Sequence, residues 1–132
     1  MVELRLENYE SVEADYVKGW LEDGVVSLLH KDVDVLTLSM AKQAVAARKL
    51  LMNGRDYPIM IDLTKAKVIS RDARAYFATK ESAEGIVKGA FIVNSSWTRL
   101  LFNFFVLVYK PEPPSRMFYT EVEALAWLKQ EL

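Results

Sequence analysis

The stretch that decides the fold is Tyr57–Phe77, which reads YPIMIDLTKAKVISRDARAYF. Its apolar run, Pro58–Ile61, is short and bounded by turn residues, a pattern typical of a strand buried on both faces. Asp62-Leu63-Thr64 ends that run. Ser70, followed by the acidic residue Asp72, predicts the start of a helix, because serine is a frequent N-cap and acidic residues favour the first turn. Strand, loop and helix in this order place polar side chains at the carboxyl edge of a sheet, where open α/β folds usually bind their ligands.

The residues before this stretch predict an antiparallel meander of strands. Apolar and charged residues alternate over Val2–Leu6, the period of a half-buried strand. A second extended segment runs from Val12 to Leu21. Glu22-Asp23-Gly24 is a hairpin signal because Asp-Gly tolerates positive φ angles, and Val25–His30 is the predicted return strand.

A long helix is predicted between the meander and the decisive stretch. Thr37 is its predicted N-cap, the helix is expected to run to Asn53, and Gly54 is expected to end it in a left-handed conformation. Apolar residues recur at helical spacing along it, so one side is expected to face the core. The buried face is expected to contain Met40, Ala41, Ala44, Val45, Ala47 and Leu51, and the solvated side Lys42, Gln43, Arg48 and Lys49.

The residues after the stretch predict alternating helices and strands. The helix that follows Ser70 is expected over about Arg71–Glu81, and Ile86–Val93 is predicted as the next strand. A third helix is predicted to start at Ser95 or Ser96. It is apolar nearly all round, so another surface must cover it.

The end of the chain continues this alternation. Prolines make Lys110–Ser115 a stiff connector, and a short strand is predicted over Arg116–Tyr119. Thr120–Glu123 is a capping box that opens a final helix. Its inward-facing residues are expected to be Val122, Leu125, Leu128 and Leu132. The whole order predicts a single α/β domain over residues 1–132, with an antiparallel start, a largely parallel remainder and about four helices.

Composition narrows the classes of function. The chain has 132 residues, a net charge of −1 and no cysteine. Such a charge gives no general attraction to nucleic acid, and the lack of cysteine excludes disulfides, thiolate catalysis and cysteine-bound metals. Neither a signal peptide nor a bilayer-spanning apolar run is apparent, so we expect a cytoplasmic protein without integral membrane association.

Ile61-Asp62-Leu63-Thr64 followed by Val68–Ala73, in this order of elements, resembles the SpoIIAA-like or STAS group. Its members are small α/β domains typified by anti-sigma-factor antagonists. A narrower resemblance, to a bacterial subgroup of uncharacterised activity, rests on Trp20–Gly24, Tyr57–Leu63, Ala73–Phe77, Asn103–Phe105 and Ala124–Lys129. The resemblance spans nearly the whole chain and is more specific for the SpoIIAA-like mixed sheet than for an activity.

The resemblance also implies a contact surface. In these antagonists the partner kinase phosphorylates a serine at the start of the second helix, usually within Asp-Ser-Ser-Gly. The equivalent residues here are Ser70-Arg71-Asp72-Ala73, so Arg71 or Asp72 occupies the phosphoacceptor position. Ser70 is interpreted as a helix cap in preference to a phosphorylation site. The predicted partner-binding residues are Asp62, Thr64, Ser70, Arg71, Asp72 and Arg74.

Other polar residues have ordinary interpretations. Asp62 is expected to form a turn rather than to act as a functional carboxylate. The basic residues Lys65, Lys67, Arg71 and Arg74 could bind an anion, but a solvated rim of mixed charge is favoured. His30, the single histidine, is expected to end its strand or to make one hydrogen bond. No catalytic, nucleotide-binding or metal-binding motif occurs, so we expect no enzyme activity, cofactor or metal.

The third helix leaves two interpretations open. Arg99 and Asn103 lie one turn apart and could bind a polar head group, while Phe102 and Val106 contact an acyl chain. Packing into the core or into a homodimer interface is favoured. We therefore predict a non-enzymatic regulatory domain that binds a protein partner. The alternative is a domain that binds a lipid or another small hydrophobic ligand, in a pocket under the third helix and the Pro111–Ser115 connector.

Overall fold

The computed structural model describes residues 5–8, 10–94 and 113–130, and this part of the chain contains nine strands and four helices. In chain order they are β1 (Arg5–Asn8), β2 (Ser11–Glu13), β3 (Val17–Glu22), β4 (Val25–His30), β5 (Val33–Leu36), α1 (Leu38–Met52), β6 (Tyr57–Asp62), β7 (Ala66–Ile69), α2 (Arg71–Phe77), α3 (Lys80–Ala83), β8 (Ile86–Ile92), β9 (Ser115–Phe118) and α4 (Glu121–Leu128).

Seven of the strands form one mixed sheet in the order β1-β2-β3-β4-β6-β8-β9. The first four are joined antiparallel, and β4, β6, β8 and β9 run parallel to one another. Val26 of β4 lies beside Ile59 of β6, which in turn lies beside Gly89 of β8. The predicted fold class, an antiparallel meander leading into a parallel sheet, is confirmed, and Tyr57–Asp62 is an interior strand of that sheet, between β4 and β8.

The strands β5 and β7 pair with each other, parallel, in a separate two-stranded ribbon. Neither was predicted. Each is only four residues long, and the partners are separated in sequence by α1 and β6, so no local signal connects them. Val35 and Val68, aligned in this ribbon, are both a little under half exposed, and Lys67 pairs with Asp34 at 3.2 Å.

The helices cover the two faces of the main sheet. On one face, Val26, Leu28 and Ile59 pack against Ala44 and Ala47 of α1. On the other face, the sheet residues Val25, Met60, Ala90 and Ile92 pack against Ala124 and Leu128 of α4. A third cluster joins the ribbon, α1 and α2 through Leu36, Ala41, Leu63, Ala66 and Ala73. Burial on both faces explains the nearly continuous apolar character of Ile59–Ile61.

Helix α1 starts as predicted and ends one residue earlier than predicted, but its solvated side is smaller than predicted. The hydroxyl of Thr37 accepts a hydrogen bond from the Met40 N–H at 3.3 Å. At the other end the helix stops at Met52, and the left-handed conformation begins at Asn53, one residue before the predicted Gly54, which also has a positive φ. The prediction for Arg48 was wrong, because its side chain is only 1% exposed. Its guanidinium donates to the carbonyl oxygens of Ser82 at 2.6 Å and Glu84 at 2.8 Å, which supply the polar partners that burial requires.

Two other helix predictions need correction. The helix predicted over Arg71–Glu81 is divided at Thr79, whose hydroxyl donates to the Tyr76 carbonyl and accepts from the Ser82 N–H. This local bonding ends α2 and starts α3. In α4, Val122 is 79% exposed rather than inward-facing, because the buried positions are Ala124 and Leu128, spaced by one helical turn.

A lysine from the sheet caps the end of α4. Lys88 of β8 is only 3% exposed, and its ammonium donates to the carbonyl oxygens of Trp127 at 2.8 Å and Gln130 at 2.9 Å. It also lies 4.8 Å from the centroid of the Trp127 ring. A cation at a helix C-terminus satisfies free carbonyl groups and complements the helix dipole.

We expect Lys88→Met to lower the free energy of unfolding by about 2 kcal/mol, because the two carbonyl oxygens lose a charged donor while the apolar volume is kept. Urea denaturation followed by circular dichroism measures the change. Lys129→Met is the matched control, since Lys129 is exposed and lies 3.9 Å from Asp23 in a surface pair. Equal stability of the two variants would contradict a capping role for Lys88.

Candidate functional site

The turn after β6 is built by the side chain of Asp62. Its Oδ1 accepts hydrogen bonds from the Thr64 N–H at 2.9 Å and from the Thr64 hydroxyl at 2.6 Å. The carbonyl of Thr64 accepts from the side-chain amide of Asn94 at 3.2 Å. The interpretation of Asp62 as a turn-forming residue is confirmed. Asn94 was not predicted here, although a polar residue soon after the neighbouring parallel strand β8 was a usable signal.

The start of α2 is held by Ser70. Its hydroxyl accepts a hydrogen bond from the Ala73 N–H at 3.2 Å and donates to Asp72 Oδ1 at 2.6 Å. The same carboxylate oxygen accepts from the Ala73 N–H at 3.0 Å. The hydrogen bond from Ser70, helped by the backbone N–H groups, lowers the pKa of Asp72 and keeps it ionised. The predicted cap is therefore confirmed.

Two of the predicted partner-binding residues project from this helix start. Arg71 and Asp72 are exposed and adjacent, with opposite charges. Arg74 is half-buried and donates to the Ile69 carbonyl at 2.9 Å. We call Ser70, Arg71, Asp72 and Arg74 the helix-start surface. Asp62 and Thr64 belong instead to the turn after β6, with β7 between the two groups.

The basic cluster around this edge is not a group of free cations. Lys67 pairs with Asp34, and Arg74 bonds to a backbone carbonyl, so two of the four basic residues of the rim already have partners. Among the described residues, no three side chains of the metal-ligating types gather at one point. No helix within residues 5–8, 10–94 and 113–130 has both the length and the apolar character to span a bilayer.

A cavity of about 110 Å³ lies between the main sheet and the layer formed by α1, α2 and α3. Leu28, Ile59 and Ile61 line it from the sheet, and Ala44 and Val45 line it from α1. Pro113 and Ser115, from the connector under which a pocket was predicted, also line it. The lining from α1, α2 and α3 was not predicted, because it depends on how short helices pack over the sheet rather than on a local pattern.

His30 lines the same cavity and is 1% exposed. It ends β4, as predicted, but its Nδ1 is buried without a hydrogen-bond partner among the described residues. Burial lowers the pKa of His30 from 6.5 to about 4, with a smaller opposing effect of the Asp62 carboxylate. The imidazole is therefore neutral at pH 7.

The residues predicted for the alternative ligand site, Arg99, Phe102, Asn103 and Val106, lie outside the described residues, as does the third helix predicted around them. That site stays a prediction.

Comparisons with known proteins agree with this fold. The family described as a domain of unknown function, DUF7793, matches residues 19–132. A solved structure from Shewanella loihica PV-4, an uncharacterised protein of the DUF3478 family with a SpoIIAA-like fold, is similar with a TM-score of 0.59 and 16% identity. The similarity covers 97% of this chain and 92% of that one. None of the curated proteins matches. The resemblance to the SpoIIAA-like fold is thus confirmed.

Proposed function

We propose that this chain, which belongs to the DUF7793 family of domains of unknown function, is a non-enzymatic regulatory domain that binds a protein partner through its helix-start surface. The observation that supports this most is the fixed start of α2, which presents Arg71 and Asp72 side by side to solvent. The SpoIIAA-like fold is compatible with a role like that of the anti-sigma-factor antagonists.

Asp72 carries a permanent charge at this surface. Its carboxylate is held by Ser70 and by the Ala73 N–H, and its lowered pKa keeps it ionised throughout the physiological range. Whichever of Arg71 and Asp72 occupies the phosphoacceptor position, neither has a hydroxyl for a kinase to phosphorylate, and the Asp72 carboxylate offers fewer acceptor oxygens than a phosphate. We therefore propose that the partner binds constitutively. Arg71 places a positive charge and hydrogen-bond donors beside Asp72. An Asp or Glu on the partner would complement this positive charge.

The double substitution Arg71→Ala/Asp72→Ala is expected to weaken partner binding at least tenfold, because complementary charges lose their counterparts at the interface. The partner is first captured from a lysate of the source organism, then purified, and its Kd is measured by isothermal titration calorimetry. Circular dichroism checks that the variant is folded.

Asp23→Ala/Lys129→Ala is the matched control for this test. It removes another exposed pair of opposite charges, 3.9 Å apart, on a different part of the surface. A Kd within twofold of wild type for both double variants would contradict binding through the helix-start surface.

A second candidate function is the binding of a small hydrophobic ligand. The specific observation in its favour is the cavity beneath α1, whose described lining is mostly apolar and which also contains His30. Ligand pockets in proteins are typically apolar with a few polar groups that fix orientation.

A further inference from the structure

The cavity beneath α1 lies where two of the core clusters meet. Ala44 and Ile59 line it and belong to the cluster under α1, and Leu63 and Ala66 line it and belong to the cluster that joins the ribbon to α2. Ile61, which also lines it, packs against both clusters. The walls are therefore side chains that already pack in the core, and core packing sets the shape of the cavity.

The volume of the cavity limits the ligand. An apolar cavity of about 150 Å³ in another protein stays dry and binds benzene. The cavity beneath α1 has a volume of about 110 Å³, so by this comparison it holds a molecule of about one six-membered ring.

Six of the described lining residues have polar side chains, and five of these side chains have partners within the chain. Arg48 donates to two backbone carbonyl oxygens, and Arg74 donates to one. The hydroxyls of Ser82 and Ser115 also donate to backbone carbonyl oxygens. Lys67 forms the surface ion pair of the ribbon. These five side chains do not need a ligand as a partner.

His30 is the sixth polar residue of the described lining. Its Nδ1 has no hydrogen-bond partner among the described residues, but this atom is itself buried, and the whole residue is only 1% exposed. A molecule in the cavity would reach this nitrogen only if neighbouring side chains moved. The described lining therefore offers apolar contact and no ready polar anchor.

Such a lining selects between ligands by desolvation. A hydroxyl or a charge that leaves water for the cavity loses its hydrogen bonds and finds none in exchange, whereas a hydrocarbon surface gains from burial. We propose that the cavity beneath α1 binds an uncharged molecule without hydrogen-bonding groups, about the size of one six-membered ring. This inference rests on the second candidate function and names its ligand class.

Toluene and phenol are the probes for the ligand class, because they are similar in size and only phenol has a hydroxyl. In calorimetric titrations we expect toluene to bind the wild-type chain at least about fivefold more tightly than phenol, the factor for burying an unbonded hydroxyl. Benzoate carries a negative charge that would attract Lys67 and Arg74 if they anchored a ligand, and it is expected not to bind. A smaller difference between toluene and phenol, or measurable binding of benzoate, would overturn the ligand class while leaving the second candidate function.

The substitution Ala44→Leu tests whether toluene binds in this cavity. The larger side chain fills the cavity from α1 and should weaken toluene binding by about tenfold or more, because it takes the place of buried ligand surface. Ala46→Leu is the matched control, since Ala46 is exposed on the same helix, and it should leave the affinity unchanged. Circular dichroism checks that both variants are folded. Equal affinities of the two folded variants would overturn binding at this place.

A second measurement needs no variant. In methyl NMR spectra of the wild-type chain, toluene should shift the signals of Ile59 and Ile61, which line the cavity, and leave the exposed Val122 in place. Unmoved isoleucine signals with bound toluene would place the probe elsewhere and overturn the proposal. If neither toluene nor phenol binds the wild-type chain at millimolar concentration, the second candidate function at this cavity fails too.

Discussion

Acidification from pH 7 to pH 4 is expected to remove about 3 kcal/mol of folding free energy through His30 alone. The pKa of His30 is about 4 in the folded chain and 6.5 as the ordinary value for the unfolded chain. Between these values the unfolded state binds a proton that the folded state does not, so stability falls as the pH falls. The contribution is fully present above pH 6.5 and is lost by about pH 4, and each pKa unit corresponds to 1.36 kcal/mol.

Urea denaturation at a series of pH values measures this loss, and His30→Leu is the control. Carboxylates also titrate as the pH approaches 4, so the relevant quantity is the difference between the wild-type and variant curves. We expect the wild-type chain to lose about 3 kcal/mol more than the variant over this range. Parallel curves would show that the histidine is protonated equally easily in the folded and unfolded chains.

The substitution Arg48→Met is expected to lower the free energy of unfolding by about 3 kcal/mol. Methionine fills much of the apolar volume, but the carbonyl oxygens of Ser82 and Glu84 then lose their buried donor. Each hydrogen bond to a charged group contributes about 1.5–3 kcal/mol. The gain from no longer burying a charge offsets part of this loss. The burial that makes the guanidinium costly also lowers the pKa of Arg48 to about 10.

Lys49→Met is the matched control, because Lys49 is the next residue on α1 and its ion pair with Glu84, at 3.4 Å, lies at the surface. That variant should change stability by less than about 0.5 kcal/mol. Arg48→Lys should fall between the two, since an ammonium cannot reproduce the fork of guanidinium donors. If Arg48→Met proves as stable as Lys49→Met, the hydrogen bonds of Arg48 do not determine how α3 is held against α1.

Features with local causes were predictable from the sequence. The helical spacing of Ala44, Ala47 and Leu51 predicted α1, and the short apolar run that contains Ile59 predicted the interior strand β6. The Ser70 cap and the Asp62 turn were predictable as well, because each hydrogen bond spans only two or three residues.

Features that depend on distant pairing were not predictable. Arg48 has the long apolar stem and charged end of a solvated residue, and its partners lie more than thirty positions away in α3 and the following turn. The ribbon needs β5 and β7 to meet after α1 and β6 have folded. The unpaired nitrogen of His30 likewise results from three-dimensional packing, since no spacing in the sequence distinguishes it from a bonded histidine.

The two-stranded ribbon has a consequence for how the chain fluctuates. A pair of strands without further neighbours is marginally stable by itself, and here Val35 and Val68 remain a little under half exposed. The ribbon should therefore belong to the part of the molecule that undergoes local unfolding most readily. Ser70 is tied to it, because its N–H donates to the Leu36 carbonyl at 3.0 Å. Any protein that docks at the start of α2 would then also slow amide exchange along β5 and β7.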